Sequence, residues 1–424
     1  MPRPVHIIGL GADGLAGLTP RLREAIASAE FLAGGKRHLA LLGPTGAETL
    51  AITTNFIELA ERLRCRGQDE RCVVVGSGDP LFFGIGRFLG DKLGRDQIRI
   101  DPSLSSMQLA FARAGLPWDD AVMASIHGRD LAATLLPLLG KPTIGLLTHD
   151  GESPAAIAAF FLDRGLVNYE AYVGENLGSE HECWTTAPMD ELRDRQFAAL
   201  NVVILHRKLG RPDVAPWDPP SGTGVGPGIP DLLFEQPKDG PILLTHADVR
   251  AIAVSRFRIL PAGPILDVGA GLGGVSIELA RAFPDRAILA VERSPTNVTY
   301  LHANRTKFAA WNLRIVLGEA PACLPADEQV AGLFLGGTGG HLDGILTDAI
   351  DRLKIGGTLV GNFVGLENFA KTMQRLREAN WKPEATQVQV SHARPLADLT
   401  TFVPLRPVWI VKAVKPNGQD CVSL

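Results

Sequence analysis

A segment rich in proline and glycine near the middle of the chain constrains the fold more than any other feature. Between residues 211 and 241, eight of 31 residues are proline and five are glycine, whereas the whole chain of 424 has 30 prolines and 46 glycines. Proline fixes φ and lacks a backbone N–H, so this composition sustains neither a helix nor a strand ladder. So long a loop is uncommon inside one compact domain. We therefore predict a linker at residues 211–240 between domains at 1–210 and 241–424.

On both sides of this segment, short β-branched runs alternate with helical segments. In the C-terminal domain, five such runs from Ile265–Val268 to 358–362 are each followed by a helix, but the runs at 386–391 and Val408–Val414 have none between them. Alternation of this kind is typical of an α/β fold with a mainly parallel sheet. Only parallel neighbours require a crossover, so we expect the last two strands to form an antiparallel hairpin.

Charge and cysteine content narrow the class of protein. The 42 Lys and Arg against 46 Asp and Glu leave a net charge of −4, which argues against nucleic-acid binding as the main function. Five scattered cysteines without a CxxC spacing predict neither a disulfide framework nor a metal site. The sequence has no signal-peptide pattern and no apolar run near the roughly 18 residues of a membrane span. We expect a cytoplasmic protein with no membrane and no nucleic-acid partner.

A glycine-rich turn joins the first C-terminal strand to its helix, in the sequence Asp267-Val-Gly269-Ala-Gly271-Leu-Gly273-Gly274. Glycine lets the backbone approach a ligand closely, and the helix N-terminus offers free N–H groups. The spacing also satisfies the dinucleotide motif GxGxxG. An oxidoreductase that uses NAD(P) therefore remains open on this turn alone.

Acidic residues and glycines follow the next strands. Glu292 ends the second strand, where an acid can accept both hydroxyls of a ribose, and Gly318-Glu319 follows the third, where an adenine amino group could be met. A second glycine turn at 336–340, followed by His341, ends the fourth strand. Ligands of open α/β sheets bind at these carboxyl ends of the strands.

The aspartate, the glycine turn and the two later acidic positions, taken in their order along the chain, resemble the motifs of class I S-adenosylmethionine-dependent methyltransferases. The resemblance covers the chain from about Thr245 onward. The resemblance implies a Rossmann-like fold with an antiparallel last strand. It also implies S-adenosylmethionine contacts from the strand ends, by Asp267, Gly269, Gly271, Gly273, Glu292, Gly318, Glu319 and Gly336. The segments Thr245-His-Ala-Asp-Val-Arg and Gly336-Gly-Thr-Gly-Gly-His341 resemble, more narrowly, the decarboxylating precorrin methyltransferases. On that resemblance we predict that Thr245, His246 and His341 line a substrate pocket and orient the acetate that is lost.

The N-terminal domain carries different glycine turns, Gly9-Leu10-Gly11 and Gly78-Asp79-Pro80, and a serine-rich segment that includes Ser105-Ser106. Taken alone, either motif predicts no more than a tight turn. Together the three resemble the tetrapyrrole methylase family (class III methyltransferases) over about residues 5–207, although Ala12 and Asp13 depart from its commonest first motif. The resemblance implies that family's α/β fold and a second S-adenosylmethionine site, formed by Leu10, Gly78, Asp79, Phe82, Ser105 and Ser106.

Arg129 follows Ser125-Ile-His-Gly, a segment that resembles the branch of this family acting on carbon 5 of the corrin precursor. Guanidinium binds carboxylate bidentately, so we predict that Arg129 anchors a substrate carboxylate. An ordinary surface arginine is an equal alternative.

The two domains in this order resemble the fused enzymes of aerobic cobalamin biosynthesis. The resemblance implies methylation at carbons 5 and 15, loss of carbon dioxide from an acetate, one S-adenosylmethionine site per domain and a homo-oligomer. Methyl transfer from a sulfonium needs mainly alignment, worth about 7–11 kcal/mol, and the sequence has no GxSxG, HExxH or P-loop. An RNA methyltransferase is disfavoured by 6% aromatic residues, and a scaffold with degenerate sites by the intact Asp267 and Glu292.

Overall fold

The structure is a computed structural model that describes residues 2–208, 226–238, 244–258, 260–324 and 328–417. Contacts divide it into two compact units. The first holds the residues up to 208 except 135–140 and 163–166, which group with the second unit. Residues 211–225, 239 and 240 of the predicted linker lie outside the described residues, and the predicted domain limits stay a prediction.

The first part of the chain forms a five-stranded sheet in the order β3-β2-β4-β1-β5, in which all pairings are parallel. The strand that pairs with both β4 and β5 is apolar, since its residues Val5, Ile7, Ile8 and Leu10 are all buried. The strands are β1 Val5–Leu10, β2 Phe31–Gly35, β3 Glu48–Ile52, β4 Cys72–Ser77 and β5 Ile98–Asp101. The helices are α1 Pro20–Ala27, α2 Lys36–Leu42, α3 Phe56–Arg64 and α4 Ile85–Leu93.

A second sheet follows in the order β6-β7-β10-β8-β9, with a parallel β6–β7 pair and antiparallel pairings elsewhere. Its strands are β6 Val122–Ser125, β7 Thr143–Leu147, β8 Tyr169–Glu175, β9 Cys183–Pro188 and β10 Asn201–Arg207. The helices of this part are α5 Ser106–Ala114, α6 Leu131–Leu135, α7 Ser153–Leu162 and α8 Met189–Leu192.

The third sheet has seven strands in the order β13-β12-β11-β14-β15-β19-β16. The strands β11 to β15 run parallel to one another, whereas β19 is antiparallel to both β15 and β16. The strands are β11 Ile265–Val268, β12 Ile288–Glu292, β13 Leu313–Leu317, β14 Val330–Leu335, β15 Leu353–Phe363, β16 Glu384–Val388 and β19 Val408–Val414. The helices are α9 Ala247–Ser255, α10 Gly274–Ala282, α11 Pro295–Lys307, α12 Leu342–Arg352 and α13 Leu366–Glu378.

The predicted α/β fold and the antiparallel pairing of the last two strands of this sheet are confirmed. The connection between them holds a further hairpin, β17 Ser391–Leu396 and β18 Leu399–Pro404, which was not predicted. This seven-stranded order, with a reversed strand next to the last, is the Rossmann-like arrangement that the motifs implied.

Part of the predicted linker packs against the second unit. Ile229 and Phe234 lie in its hydrophobic core, and residues Asp231–Leu233 form a 3₁₀ helix between them. The backbone N–H groups of Gly228 and Ile229 donate to the carboxylate of Glu278, at 2.9 and 3.0 Å. The two buried apolar side chains explain why residues 228–234 belong to this unit despite the prolines around them.

Candidate active sites

A cavity of about 700 Å³ lies at the carboxyl ends of the parallel strands β11 to β15. Its floor depends on glycine. A Cβ atom on Gly269, whose φ is +76°, would lie 2.3 Å from the carbonyl oxygen of Gly337. The turns after β11 and β14 therefore approach so closely that only glycine fits between them.

The cavity brings together most residues predicted for the C-terminal site. The predicted residues in its lining are Thr245, His246, Asp267, Gly269, Gly271, Glu292, Gly318, Glu319 and Gly336, followed by Gly337 and Thr338 of the second glycine turn. Two predicted residues lie off this lining. Gly273 caps α10, where a Cβ would lie 2.1 Å from Leu301, and His341 precedes α12 with its ring Nε2 3.3 Å from the Glu319 carboxylate.

Asp267 is the most perturbed group in this cavity. Its side chain is buried, Oδ2 accepts a hydrogen bond from the Ser276 hydroxyl, and Oδ1 has no partner among the described residues. Burial raises the pKa of Asp267 to about 7, and the nearby charge of Glu292 acts in the same direction. An unpartnered carboxylate oxygen at a cavity wall can accept a hydrogen bond from a ligand, and a cationic ligand would favour its ionised form.

Glu292 is held at the end of β12 by donors on both sides. Its Oε2 accepts from the backbone N–H of Gly271 at 2.8 Å, and its Oε1 accepts from the N–H of Ser294 at 2.9 Å and from the Asn297 amide at 3.2 Å. The carboxylate is thus buried and oriented, and it ties the glycine turn of β11 to the start of α11.

Sequence reasoning missed three residues near this cavity. Asn362 and Arg406 lie in its lining, and the His392 ring, in β17, places Nε2 3.1 Å from Nε2 of His246. With Asp248, the two histidines offer ligand atoms that lie within 4.8 Å of one another and could hold a metal ion. No sequence spacing signals this cluster, because His246 and His392 stand 146 positions apart. The expectation of no metal stays a prediction.

A second cavity, of about 620 Å³, lies in the first unit at the ends of β1 and β4. It contains every residue predicted for the N-terminal site, which are Leu10, Gly78, Asp79, Phe82, Ser105, Ser106 and Arg129. Gly78 has φ of +52°, and a Cβ there would lie 2.7 Å from the Cα of Ser105. The turn after β4 therefore rests directly against the start of α5.

Local hydrogen bonds shape both sides of this contact. Asp79 accepts the backbone N–H of Leu81 at 2.8 Å, which fixes the Gly-Asp-Pro turn. Ser105 begins α5 with a capping box, in which its hydroxyl accepts the N–H of Gln108 and the Gln108 side chain accepts the N–H of Ser105. The capping box therefore satisfies two of the backbone N–H groups at the helix start.

Further basic groups also line this cavity. Arg37 and His38 follow β2, and His127 lies beside Arg129. Burial lowers the pKa of His38 to about 4, with a smaller contribution from the charge of Arg37. Arg129 places its guanidinium 5.7 Å from the ring centroid of Phe83. Two arginines in the lining of one cavity suit a ligand with carboxylates.

Comparison with known proteins defines the class first. Residues 234–415 match the family model described as a precorrin methyltransferase domain, and residues 4–193 match that of the tetrapyrrole (corrin/porphyrin) methylases. Both parts of the chain thus match methyltransferases. The chain belongs to the precorrin-6Y C(5,15)-methyltransferase (decarboxylating) family, because it is 32% identical over 404 residues to the member from Sinorhizobium sp., covering 95% of this chain and 94% of that protein.

Two shorter relatives come from Salmonella typhimurium (strain LT2). Its cobalt-precorrin-6B C(15)-methyltransferase (decarboxylating) is 36% identical and covers 45% of this chain and 97% of its own length. Its cobalt-precorrin-7 C(5)-methyltransferase is also 36% identical and covers 42% of this chain and 86% of its own length. Among the described residues, none of the helices has the length and apolar character needed to cross a membrane.

Proposed function

We propose that this chain methylates precorrin-6B (also written precorrin-6Y) at carbons 5 and 15 and removes carbon dioxide from its C12 acetate, giving precorrin-8X in cobalamin biosynthesis. The observation that carries the proposal is the pair of separate cavities at strand ends, in a chain whose family is named for both methylations and the decarboxylation. We assign carbon 15 and the decarboxylation to the C-terminal cavity, and carbon 5 to the N-terminal one.

S-adenosylmethionine supplies the methyl group at each site when it is bound. The C-terminal residues fit it in two respects. The unpartnered Oδ1 of Asp267 can accept from its ammonium group, and the Glu292 carboxylate is oriented at a strand end where ribose hydroxyls can donate to it. Because Gly269 carries no side chain, the backbone of this turn itself lines the cavity. The segments 318–319 and 336–338, which follow β13 and β14, complete the proposed cofactor wall.

The N-terminal residues fit the cofactor through backbone groups. The turn at Gly78-Asp79 and the capped start of α5 at Ser105-Ser106 bound one side of the cavity, with Leu10 and Phe82 as apolar contacts. We propose that they hold the cofactor and that Arg129, with Arg37, pairs with carboxylates of the substrate. A cytoplasmic location, a homo-oligomer and the absence of a nucleic-acid partner stay predictions from the sequence.

Little side-chain chemistry is needed for the transfer itself. A sulfonium leaves without acid assistance, so the residues have to hold donor and acceptor in line. For the decarboxylation, we propose that Thr245 and His246, which lie in the cavity wall, orient the acetate. The electron pair of the broken C–C bond passes into the conjugated ring of the substrate, and the former acetate carbon then takes up a proton from solvent to become a methyl group. His341 lies outside the cavity lining, and we propose that it acts through the carboxylate of Glu319.

The direct test is the stoichiometry of the purified full chain with its substrate and methyl-labelled S-adenosylmethionine. We expect two labelled methyl groups and the release of one carbon dioxide per product, measured by mass spectrometry and gas analysis. A product with one methyl group and its carboxylates intact would contradict the assignment of the C-terminal cavity. Transfer of hydride from NAD(P)H, or of methyl groups to RNA, would contradict the proposal as a whole.

The perturbed Asp267 predicts a pH-dependent affinity. Its pKa in the folded protein is raised to about 7, so the protonated form prevails at pH 6 and the carboxylate above pH 7. Only the carboxylate pairs with the ammonium group, and its fraction rises roughly eightfold between pH 6 and 7.5. We expect the calorimetric affinity for S-adenosylhomocysteine at the C-terminal site to rise by about that factor, and Asp267→Asn to remove the rise.

The same shift has a consequence for folding. Because the folded pKa lies above the unfolded one, the contribution of this group to stability is present in full below about pH 4 and is lost as the pH rises through 7. Asp267→Asn should therefore raise the unfolding midpoint of the C-terminal unit more at pH 8 than at pH 5. If the affinity of Asp267→Asn for S-adenosylhomocysteine had the same pH profile as that of the wild type, Asp267 would not face the cofactor.

A further inference from the structure

The C-terminal cavity has a second wall that no predicted cofactor residue occupies. It is formed where β15 ends, where β16 ends and where the chain enters β19, and its described residues include Asn362, Val364, Val390, Leu405 and Arg406. The register explains how they meet. Asn362 pairs with Ile410 and Phe363 with Trp409 in antiparallel strands, so the residues just after β15 emerge beside those just before β19.

Asn362 is an amide with unmet hydrogen bonds. Both Oδ1 and Nδ2 are shielded from solvent and have no partner among the described residues. Buried amides are nearly always paired, because an unpaired one loses its hydrogen bonds to water without replacement. The neighbouring Phe363 packs into the core of the other face, and Asn362 lies in the cavity lining. A ligand that offers one donor and one acceptor would satisfy this amide.

Arg406 brings a positive charge to the same wall. Its side chain is exposed, and no ion pair or hydrogen bond joins it to another described residue. The other arginine in the lining, Arg293, is paired with Glu319 at 3.2 Å. A guanidinium without a protein partner at a cavity wall suits a carboxylate, which it can bind through two parallel hydrogen bonds.

The remaining residues of this wall are apolar. Val364, Val390 and Leu405 belong to the chain segments that form this wall, together with Asn362 and Arg406. Apolar side chains of this kind suit the face of a conjugated ring. The cofactor residues Asp267 and Glu292 of the same cavity are acidic and would repel carboxylates. The two walls thus differ in the ligand that each can accept.

We propose that Asn362 and Arg406 form the substrate subsite of the C-terminal cavity. Asn362 accepts a hydrogen bond from a pyrrole-type N–H and donates one to a carboxylate oxygen, and Arg406 pairs with a carboxylate at the rim of the macrocycle. The apolar side chains contact the ring. The ligand class is a conjugated tetrapyrrole with several carboxylates, and in this respect the inference rests on the proposed function.

The test is a binding titration of the full chain with uroporphyrin, a tetrapyrrole with carboxylates around its rim, in the presence of S-adenosylhomocysteine. Because the N-terminal cavity can bind the same probe, the readout is the affinity of each bound equivalent. In Asn362→Leu and in Arg406→Ala we expect one equivalent to bind roughly 10- to 100-fold more weakly, as when a hydrogen bond to a charged group is lost. The controls Asn368→Leu and Arg394→Ala, both at exposed positions outside the lining, should bind like the wild type.

Thermal unfolding and cofactor affinity separate this role from a structural one. Leucine is close to asparagine in size and removes the unmet amide, so Asn362→Leu should unfold at the same or a higher temperature. S-adenosylhomocysteine should bind both variants within about twofold of the wild type. Unchanged uroporphyrin affinity, no uroporphyrin binding by the wild type, or an equal loss of cofactor affinity would each overturn the subsite. Failure of the proposed function appears separately, as absence of methyl transfer by the wild type.

Discussion

Replacing Arg250 by methionine should destabilise the C-terminal unit by about 3–5 kcal/mol, the usual cost of leaving one partner of a buried ion pair alone. The Arg250 side chain is fully buried, and its Nε lies 2.6 Å from the carboxylate of Glu278, which is itself only 2% exposed. Its Nη1 lies 2.9 Å from Asp231, and its guanidinium also donates to the carbonyls of Thr245 and Ile229. In Arg250→Met, Glu278 keeps its two backbone donors but loses its counter-charge. Denaturant unfolding followed by circular dichroism measures the loss.

The matched control removes both charges. In the double variant Arg250→Met, Glu278→Gln, no buried charge is left without a partner and the amide oxygen can still accept from the N–H groups of Gly228 and Ile229, so much of the lost free energy of unfolding should return. The single variant should also lose activity at the C-terminal site in proportion to unfolding, because Arg250 holds the segment that carries Thr245. A cost under 1 kcal/mol in the single variant, or a double variant no more stable than the single one, would contradict this account.

Arg250 also shows where sequence reasoning ends. It belongs to the segment Thr245-His-Ala-Asp-Val-Arg, which identified the family but assigned the arginine no role. Arginine is usually exposed, and nothing in the spacing indicates that this one is buried. Its partner Glu278 lies on α10, whose sequence has the composition of an ordinary amphipathic helix. The pair becomes visible only when α9, α10 and the segment around Ile229 are packed together.

The parts of the site that the sequence did predict share one property. Asp267, Glu292 and Gly318 each lie at or just after the carboxyl end of a strand, and parallel strands bring their carboxyl ends to one edge of the sheet. Asn362 also ends a strand, but β15 is followed by no glycine turn and gave no ligand signal. Arg406 precedes an antiparallel strand, so its position depends on the β15–β19 register, which hydrophobic pattern alone does not specify.

The unpredicted hairpin has a physical reason of the same kind. The strands β17 and β18 pair only with each other and expose Leu396, Leu399 and Phe402, of which Leu399 is 72% exposed. Without one buried and one solvated face, their residues lack the alternation by which strands are recognised. The seven-stranded sheet, in contrast, buries near-continuous apolar strands, and its five parallel strands β11 to β15 lie where the sequence predicted strands. The buried strand β2, in the first sheet, was not predicted.

A single methyl group added at Gly78 should slow methylation at carbon 5 by roughly 100-fold and leave the C-terminal chemistry intact. The Cβ of Gly78→Ala would lie 2.7 Å from the Cα of Ser105, so the turn after β4 and the start of α5 must move apart. Both line the N-terminal cavity, and a displacement of about 1 Å costs roughly 100-fold in rate. Gly269→Ala should do the reverse, since its Cβ would lie 2.3 Å from the Gly337 oxygen. Methyl incorporation and carbon dioxide release are measured for each variant.

Two other glycines separate crowding from backbone strain, because both have φ in the same range but open space around the missing Cβ. Gly115 has φ of +66° and Gly356 has φ of +76°, and no atom lies within 4 Å of a Cβ built on either. Their alanine variants carry the same penalty for a left-handed conformation, about 1 kcal/mol, without a clash. Both should keep both methylations and the decarboxylation. If Gly78→Ala and Gly269→Ala each lost all three activities together, the two cavities would not work independently, and the assignment of one reaction to each would fail.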